Sequence, residues 1–229
     1  MLLGIACAGS PAQAIDTLGV ESEPPPAPAL NAWGLNIMLS DGGFGFGGFY
    51  RREFNDDLSG FVDFSISESK ETRENERYDP YTLVSYVPGK LNRFIVMPLV
   101  AGVQYRLFRE SIMDNFRPYL HAAAGPSMIF VAPFVDIGGP PGAVTVRQVE
   151  FFSSLGRGRP HYTASAFIGA GANFGSDKSN LFGMNFRYYF THLFGEGLPS
   201  QYDERTGEVV GRKNSFGGFY LTLNVGVVF

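Results

Sequence analysis

Charge is scarce in this sequence. Only 17% of its 229 residues are Asp, Glu, Lys or Arg, where a soluble domain carries about 25%. A net charge of −4 and the lack of any Lys/Arg-rich run give nucleic acid nothing to be drawn to. One cysteine, Cys7, excludes an intramolecular disulfide framework. The three histidines, His121, His161 and His192, share no ligand spacing, so neither a metal nor a cofactor is expected. Long apolar runs are missing too. The longest candidates, 94–103 and 122–135, are interrupted by Pro and fall short of the about 18 residues of a membrane helix. If this chain crosses a bilayer, it must do so as a closed β-barrel, because lipid offers backbone groups no hydrogen-bond partner.

The first thirty residues read as export apparatus. Leu2–Ala8 is apolar and Ala12-Gln13-Ala14 supplies an A-x-A cleavage site, which predicts a signal peptide over 1–14, cleaved near Ala14. Gly4-Ile5-Ala6-Cys7 loosely resembles a lipoprotein box but lacks its usual Leu, so Cys7 reads as a plain signal residue. A Pro-rich periplasmic linker, 15–30, ends in ESEPPPAPAL and should be extended and poorly packed.

What remains, 31–229, is dominated by alternation. Phe219, Leu221, Leu223, Val225, Val227 and Phe229 share one parity; Tyr220, Thr222, Asn224, Gly226 and Val228 share the other. A strand with two different environments has this pattern. The same test finds segments near 33–39, 44–51, 58–67, 99–107, 119–128, 163–174 and 182–190. The count is eight, and the connections sort by length. Asp41-Gly42-Gly43 and Asn55-Asp56-Asp57 are tight-turn chemistry; thereafter long links (68–92, 129–161, 191–214) alternate with short ones (108–115, 175–178). Long external loops and short periplasmic turns are the outer-membrane arrangement. The expected fold is all-β: a transmembrane up-and-down antiparallel β-barrel of eight strands.

A soluble eight-stranded barrel would turn this pattern inside out, with the polar set facing water. That set is mostly Gly, Ser, Ala, Asn and Thr, with Arg51, Asp63, Arg106 and Arg187 as its obvious charges. A solvated face carries more Lys and Glu, whereas a narrow lumen needs small residues and a few large polar ones. The apolar set therefore belongs outside, against lipid. Its aromatics gather at strand ends: Trp33, Phe54, Tyr105, Phe174, Phe182 and Phe229 at one rim, Phe44, Tyr162, Tyr188 and Phe190 at the other, as the two girdles of a membrane barrel would be.

Leu221–Phe229 (LTLNVGVVF), the Pro118-Tyr119-Leu120…Ala124-Gly125 segment and Phe186-Arg187-Tyr188-Tyr189-Phe190 resemble the small outer-membrane barrels of the OmpA-transmembrane and OmpX type. The resemblance spans roughly 31–229. It implies location in the outer membrane, contact with outer-membrane lipid and lipopolysaccharide, and an assembly signal at Leu223, Val225, Val227 and Phe229 read by the barrel-assembly machinery. It leaves biochemistry open, since members serve as anchors, adhesins, narrow pores or lipid enzymes.

Candidate chemistry is thin. Gly43–Gly48 (GFGFGG) fits G-x-G-x-x-G, but Phe49-Tyr50-Arg51-Arg52 continues a strand where a nucleotide site needs a helix. Gly45 and Gly47 read instead as spacers inside a tight lumen. Asp136, Ser153, Ser154 and His161 could supply an acyl-transfer set, but no motif joins them. Arg51, Asp63, Gln104, Arg106, His121, Asn185 and Arg187 all have inward parity. Unpaired charges there would be costly, so a polar network linking Asp63 to one or more arginines is expected, with His121 as a hydrogen-bonded filler. The reading is a non-enzymatic barrel for envelope integrity or surface contact, its surface partner unspecified. The runner-up is a narrow channel for small solutes, and behind it a lipid-modifying enzyme.

Overall fold

The computed structural model describes residues 30–70, 77–79, 84–112, 115–139, 145–175 and 180–229. The expected signal peptide, Cys7 and nearly all of the linker lie outside them. In chain order the elements are β1 (Asn31–Ser40), β2 (Gly43–Glu53), β3 (Leu58–Ser69), β4 (Arg77–Asp79), β5 (Val84–Tyr86), β6 (Asn92–Arg106) and β7 (Phe116–Pro133). They continue with β8 (Val135–Gly138), β9 (Thr145–Gln148), the short helix α1 (Phe151–Gly156), β10 (Arg159–Phe174), β11 (Asn180–His192), β12 (Leu198–Tyr202), β13 (Val209–Lys213) and β14 (Gly218–Val228).

Eight of these close into one barrel, in the order β1-β14-β11-β10-β7-β6-β3-β2. Every neighbour is antiparallel, and the first strand pairs with the last, Trp33 opposite Val227 and Leu39 opposite Leu221. Closure removes the exposed edges that an open sheet would leave. The turns follow from local chemistry. Ser40 pairs with Gly43 across Asp41-Gly42, with the positive φ of 134° falling on Gly43, where a side chain would be strained. Between β2 and β3 the Asn55 side-chain oxygen accepts from the amides of Asp57 and Leu58, at 3.1 and 2.6 Å, an Asx turn.

Burial follows parity. Leu35, Phe46, Val62, Val103, Ile168, Phe186 and Val225 are exposed, while Asn36, Asp63, His121, Arg187 and Asn224 are buried. Among the described residues the outward face carries no Asp, Glu, Lys or Arg between Arg52 at one end and Glu68 and Arg93 at the other. The connections after β2, β6 and β10 and both ends of the barrel chain share the lower end; the three long connections and the short Asp41-Gly42 turn share the upper one.

The upper end departs from expectation. The long connections are structured: β4 pairs with β5, β8 with β9, and β12 with β13. Strands β6, β7 and β10 rise past their expected limits, so the fifth connection shrinks to 134–158. The extension exists because inward apolar residues continue upward. Phe94, Val96 and Ile129 meet Leu198 and Phe216 in a buried cluster. Helix α1 begins where Glu150 accepts from the Ser153 amide at 3.0 Å, an N-cap arrangement that satisfies one orphan donor.

Candidate functional site: the lumen and its two mouths

The middle of the lumen holds one ion pair in a shell of amides. The Arg187 guanidinium on β11 donates from Nη1 to Asp63 Oδ2 at 2.8 Å, and the Asn36 amide on β1 donates to the same oxygen at 2.6 Å. Both charged side chains are almost fully covered. Arg187 Nε donates to Asn185 Oδ1 at 2.7 Å, and its plane lies 4.9 Å over the Phe167 ring. Asn185 and Asn224 each donate to the Tyr119 hydroxyl, at 3.3 and 3.4 Å. The ion pair draws partners from β1, β3 and β11, and Tyr119 ties in β7 and β14. In a low-dielectric interior, such charge-assisted bonds are stronger than neutral ones and fix the geometry of the strands that supply them.

Beside this polar layer lies an aromatic one. Met38, Phe61, Val100, Ala123, Phe167, Tyr189 and Tyr220 form a single buried cluster inside the barrel. His121 packs against the rings of Phe61, Tyr119 and Phe167, with centroids at 6.1, 5.2 and 5.1 Å. Among the described residues its Nε2 meets no hydrogen-bond partner, so the contacts that hold this side of His121 are the rings around it. Two small cavities here measure about 20 and 10 Å³, room for roughly one water each. Gly45 and Gly47 do serve as spacers: a Cβ on either would come within 2.8 Å of the Ser67 or Ser65 side chain.

The expected network therefore divides by height. Asp63, Asn185 and Arg187 come together. Gln104, Arg51 and Arg106 sit lower, around a cavity of about 270 Å³ that opens at the lower end. Asn36, Tyr119, Asn224 and Arg117 belong to these sites and were not singled out from sequence, although each has inward parity in its strand. Their signal was there; amides, phenols and a strand-end arginine simply stood out less than mid-strand charges.

The upper mouth is covered by the β12–β13 hairpin. The Leu91 amide donates to Ser200 O and the Tyr202 amide to Gly89 O, each at 2.9 Å. Lys90 lies 5.3 Å over the Phe134 ring, and Lys213 lies 5.4 Å over Phe216. Three of the residues weighed for acyl transfer are engaged with other partners. Asp136 receives two hydrogen bonds from Arg157, at 2.7 and 2.6 Å, which hold its carboxyl below the ordinary carboxylate range. Ser153 is bound to the Glu150 cap, and Ser154 donates to Phe151 O at 2.7 Å while accepting from Arg93 at 2.9 Å. No hydrogen bond joins His161 to any of them.

The closing-strand residues Val225, Val227 and Phe229 point outward and are exposed, with Leu223 half-buried on the same face.

No family model matches the chain, and no curated protein matches it. Several solved structures have a similar course of chain. The N-terminal β-barrel domain of Pseudomonas aeruginosa OprF is 12% identical, over 88% of this chain and 97% of that one, with a TM-score of 0.43. Neisserial surface protein A is 15% identical over 87% and 94%, with a TM-score of 0.42. Ail, the attachment invasion locus protein of Yersinia pestis, is 14% identical over 88% and 97%, with a TM-score of 0.40.

Proposed function

We propose that this chain is an outer-membrane barrel with a closed lumen, acting without catalysis in envelope integrity or surface contact. One observation carries the location: the barrel is apolar outside and polar at its centre. Trp33, Leu35, Phe46, Val62, Ile168, Phe186 and Val225 are each at least 46% exposed, while Asp63 and Arg187 are buried in the lumen. Water would penalise that outer face, and a bilayer rewards it. On this reading lipid covers the belt, lipopolysaccharide surrounds the upper rim, and the barrel-assembly machinery inserts the chain. The aromatic cluster and the Asp63–Arg187 layer support a stabilising plug over the narrow-channel alternative.

Two measurements test this. Density fractionation of cells expressing the full chain should place it with outer-membrane markers; recovery as a soluble protein would overturn the location. Purified protein in planar bilayers should give no regular conductance steps. Sustained single-channel openings would sink the closed-lumen reading in favour of the channel.

A further inference from the structure

The lower cavity holds a buried arginine that no acceptor among the described residues hydrogen-bonds. Arg51 on β2 is 7% exposed and lines the cavity, yet among the described residues no hydrogen bond or ion pair reaches its guanidinium. Arg117 on β7 lines the same cavity, and its Nε is buried without a partner. The two are near enough to repel one another, with Glu53 the main opposing charge acting on Arg51. The other carboxylates at the mouth, Asp56 and Asp57, are taken by Arg109 at 2.5 and 3.9 Å. A buried guanidinium without an acceptor is destabilising, and two beside one another more so.

The wall above them is also a donor. Tyr119, 2% exposed, lines the cavity, and its hydroxyl accepts from Asn185 and Asn224, which leaves its own proton available to a ligand. Planar guanidiniums match oxyanions bidentately, and a phosphoryl group has three oxygens for two guanidiniums and a phenol. We infer that this cavity is a binding site for a small phosphate or phosphomonoester, held by Arg51 and Arg117 and capped by Tyr119. At about 270 Å³ the cavity can also admit a short organic group on the phosphate. The site uses only inward residues, so it stands or falls separately from the membrane location. That location adds the compartment: the ligand would enter from the periplasm.

The test uses the full chain refolded in detergent, with calorimetric titration of inorganic phosphate, glycerol 3-phosphate and acetate at equal ionic strength. The expected result is saturable one-to-one binding of both phosphates, weakened about tenfold or more in Arg51→Met or Arg117→Met, since each removes a charged bidentate donor. Arg52→Met, on the outward face of the same strand, should bind as the parent does. A second readout guards against misfolding. Phosphate should raise the parent's melting temperature by mass action and leave that of Arg51→Met unmoved. Without ligand, Arg51→Met should melt no lower than the parent, because it loses an unpaired charge. No saturation at millimolar phosphate, acetate binding as tightly as phosphate, or full binding by both variants would each overturn the proposal.

Discussion

Asn31 and Phe229 exchange both backbone hydrogen bonds, the Asn31 amide to Phe229 O at 3.0 Å and the Phe229 amide to Asn31 O at 2.8 Å. The seam between the first and last barrel strands is thus zipped to its lower limit, while the Phe229 ring stays 64% exposed on the outer wall. Backbone and ring can be separated experimentally. Phe229→Ala keeps the two seam bonds and removes the ring. Refolding in detergent should change little, with a stability loss of about 1 kcal/mol or less for an exposed side chain. Outer-membrane yield in cells should fall several-fold if the ring is part of the assembly signal. Equal proportional losses in the two assays would make Phe229 a structural residue only.

The Asp63–Arg187 pair lends itself to a double-mutant cycle. Asp63→Asn leaves a buried guanidinium facing a neutral amide and should cost about 3–5 kcal/mol in urea unfolding. Adding Arg187→Met removes the orphaned charge, so the double variant should recover part of that loss. Additive losses would show that the two charges do not act as a pair.

Gly169 faces inward opposite His121. A Cβ there would overlap the imidazole Nε2, come within 2.8 Å of its Cδ2, and crowd Phe186 O on the next strand. In most strands Gly→Ala is favourable because it stiffens the unfolded chain. Here Gly169→Ala should lower the unfolding midpoint by about 1–3 kcal/mol equivalent, the scale of overpacking. A midpoint equal to or above the parent's would mean that the imidazole has somewhere to go.

Acid should loosen one external module before the barrel. Hydrogen bonds from Arg157 lower the Asp136 carboxyl, and the Ser153 amide chiefly lowers Glu150. A carboxyl lowered on folding contributes stability above its unfolded value, about 3.9–4.3 for these types. That contribution is lost as pH falls through the lower, folded value. Amides of β8, β9 and α1 should therefore exchange with deuterium faster, after correction for intrinsic rates, at pH 3 than at pH 6. Barrel amides such as that of Phe167 should not. Loss of protection everywhere at once would refute this local account.

Strand number, strand parity and closure were legible because period-two alternation is a purely local property. Leu223–Phe229 or Trp33–Leu39 display it without reference to any other segment. Which arginine meets Asp63 was not legible, because Asp63 and Arg187 are 124 residues apart in sequence. Their meeting depends on how far each strand is staggered around the barrel. Parity says that Arg51, Arg106 and Arg187 face inward; it cannot give their heights, and height separates a plug from a cavity. The upper cluster was hidden for another reason. Leu198 and Phe216 lie beyond any long alternating run, and only their packing against Phe94, Val96 and Ile129 shows that the barrel continues there.

The unequal strand lengths give the molecule a topography. Strand β7 has 18 residues and β1 has 10, which at about 3.3 Å per residue is roughly 60 Å against 33 Å of strand. An apolar band about 25 Å tall accounts for the shorter wall, so the β6–β7–β10 side must stand clear as a parapet. The rim is cut on a slant, with its low lip at Asp41-Gly42 and its crest near Pro133. A phage, antibody or host surface approaching this barrel would strike the crest and the hairpins hung from it. In the outer-membrane setting proposed above, the Asp41-Gly42 lip would lie sheltered among the sugars of the surrounding lipid.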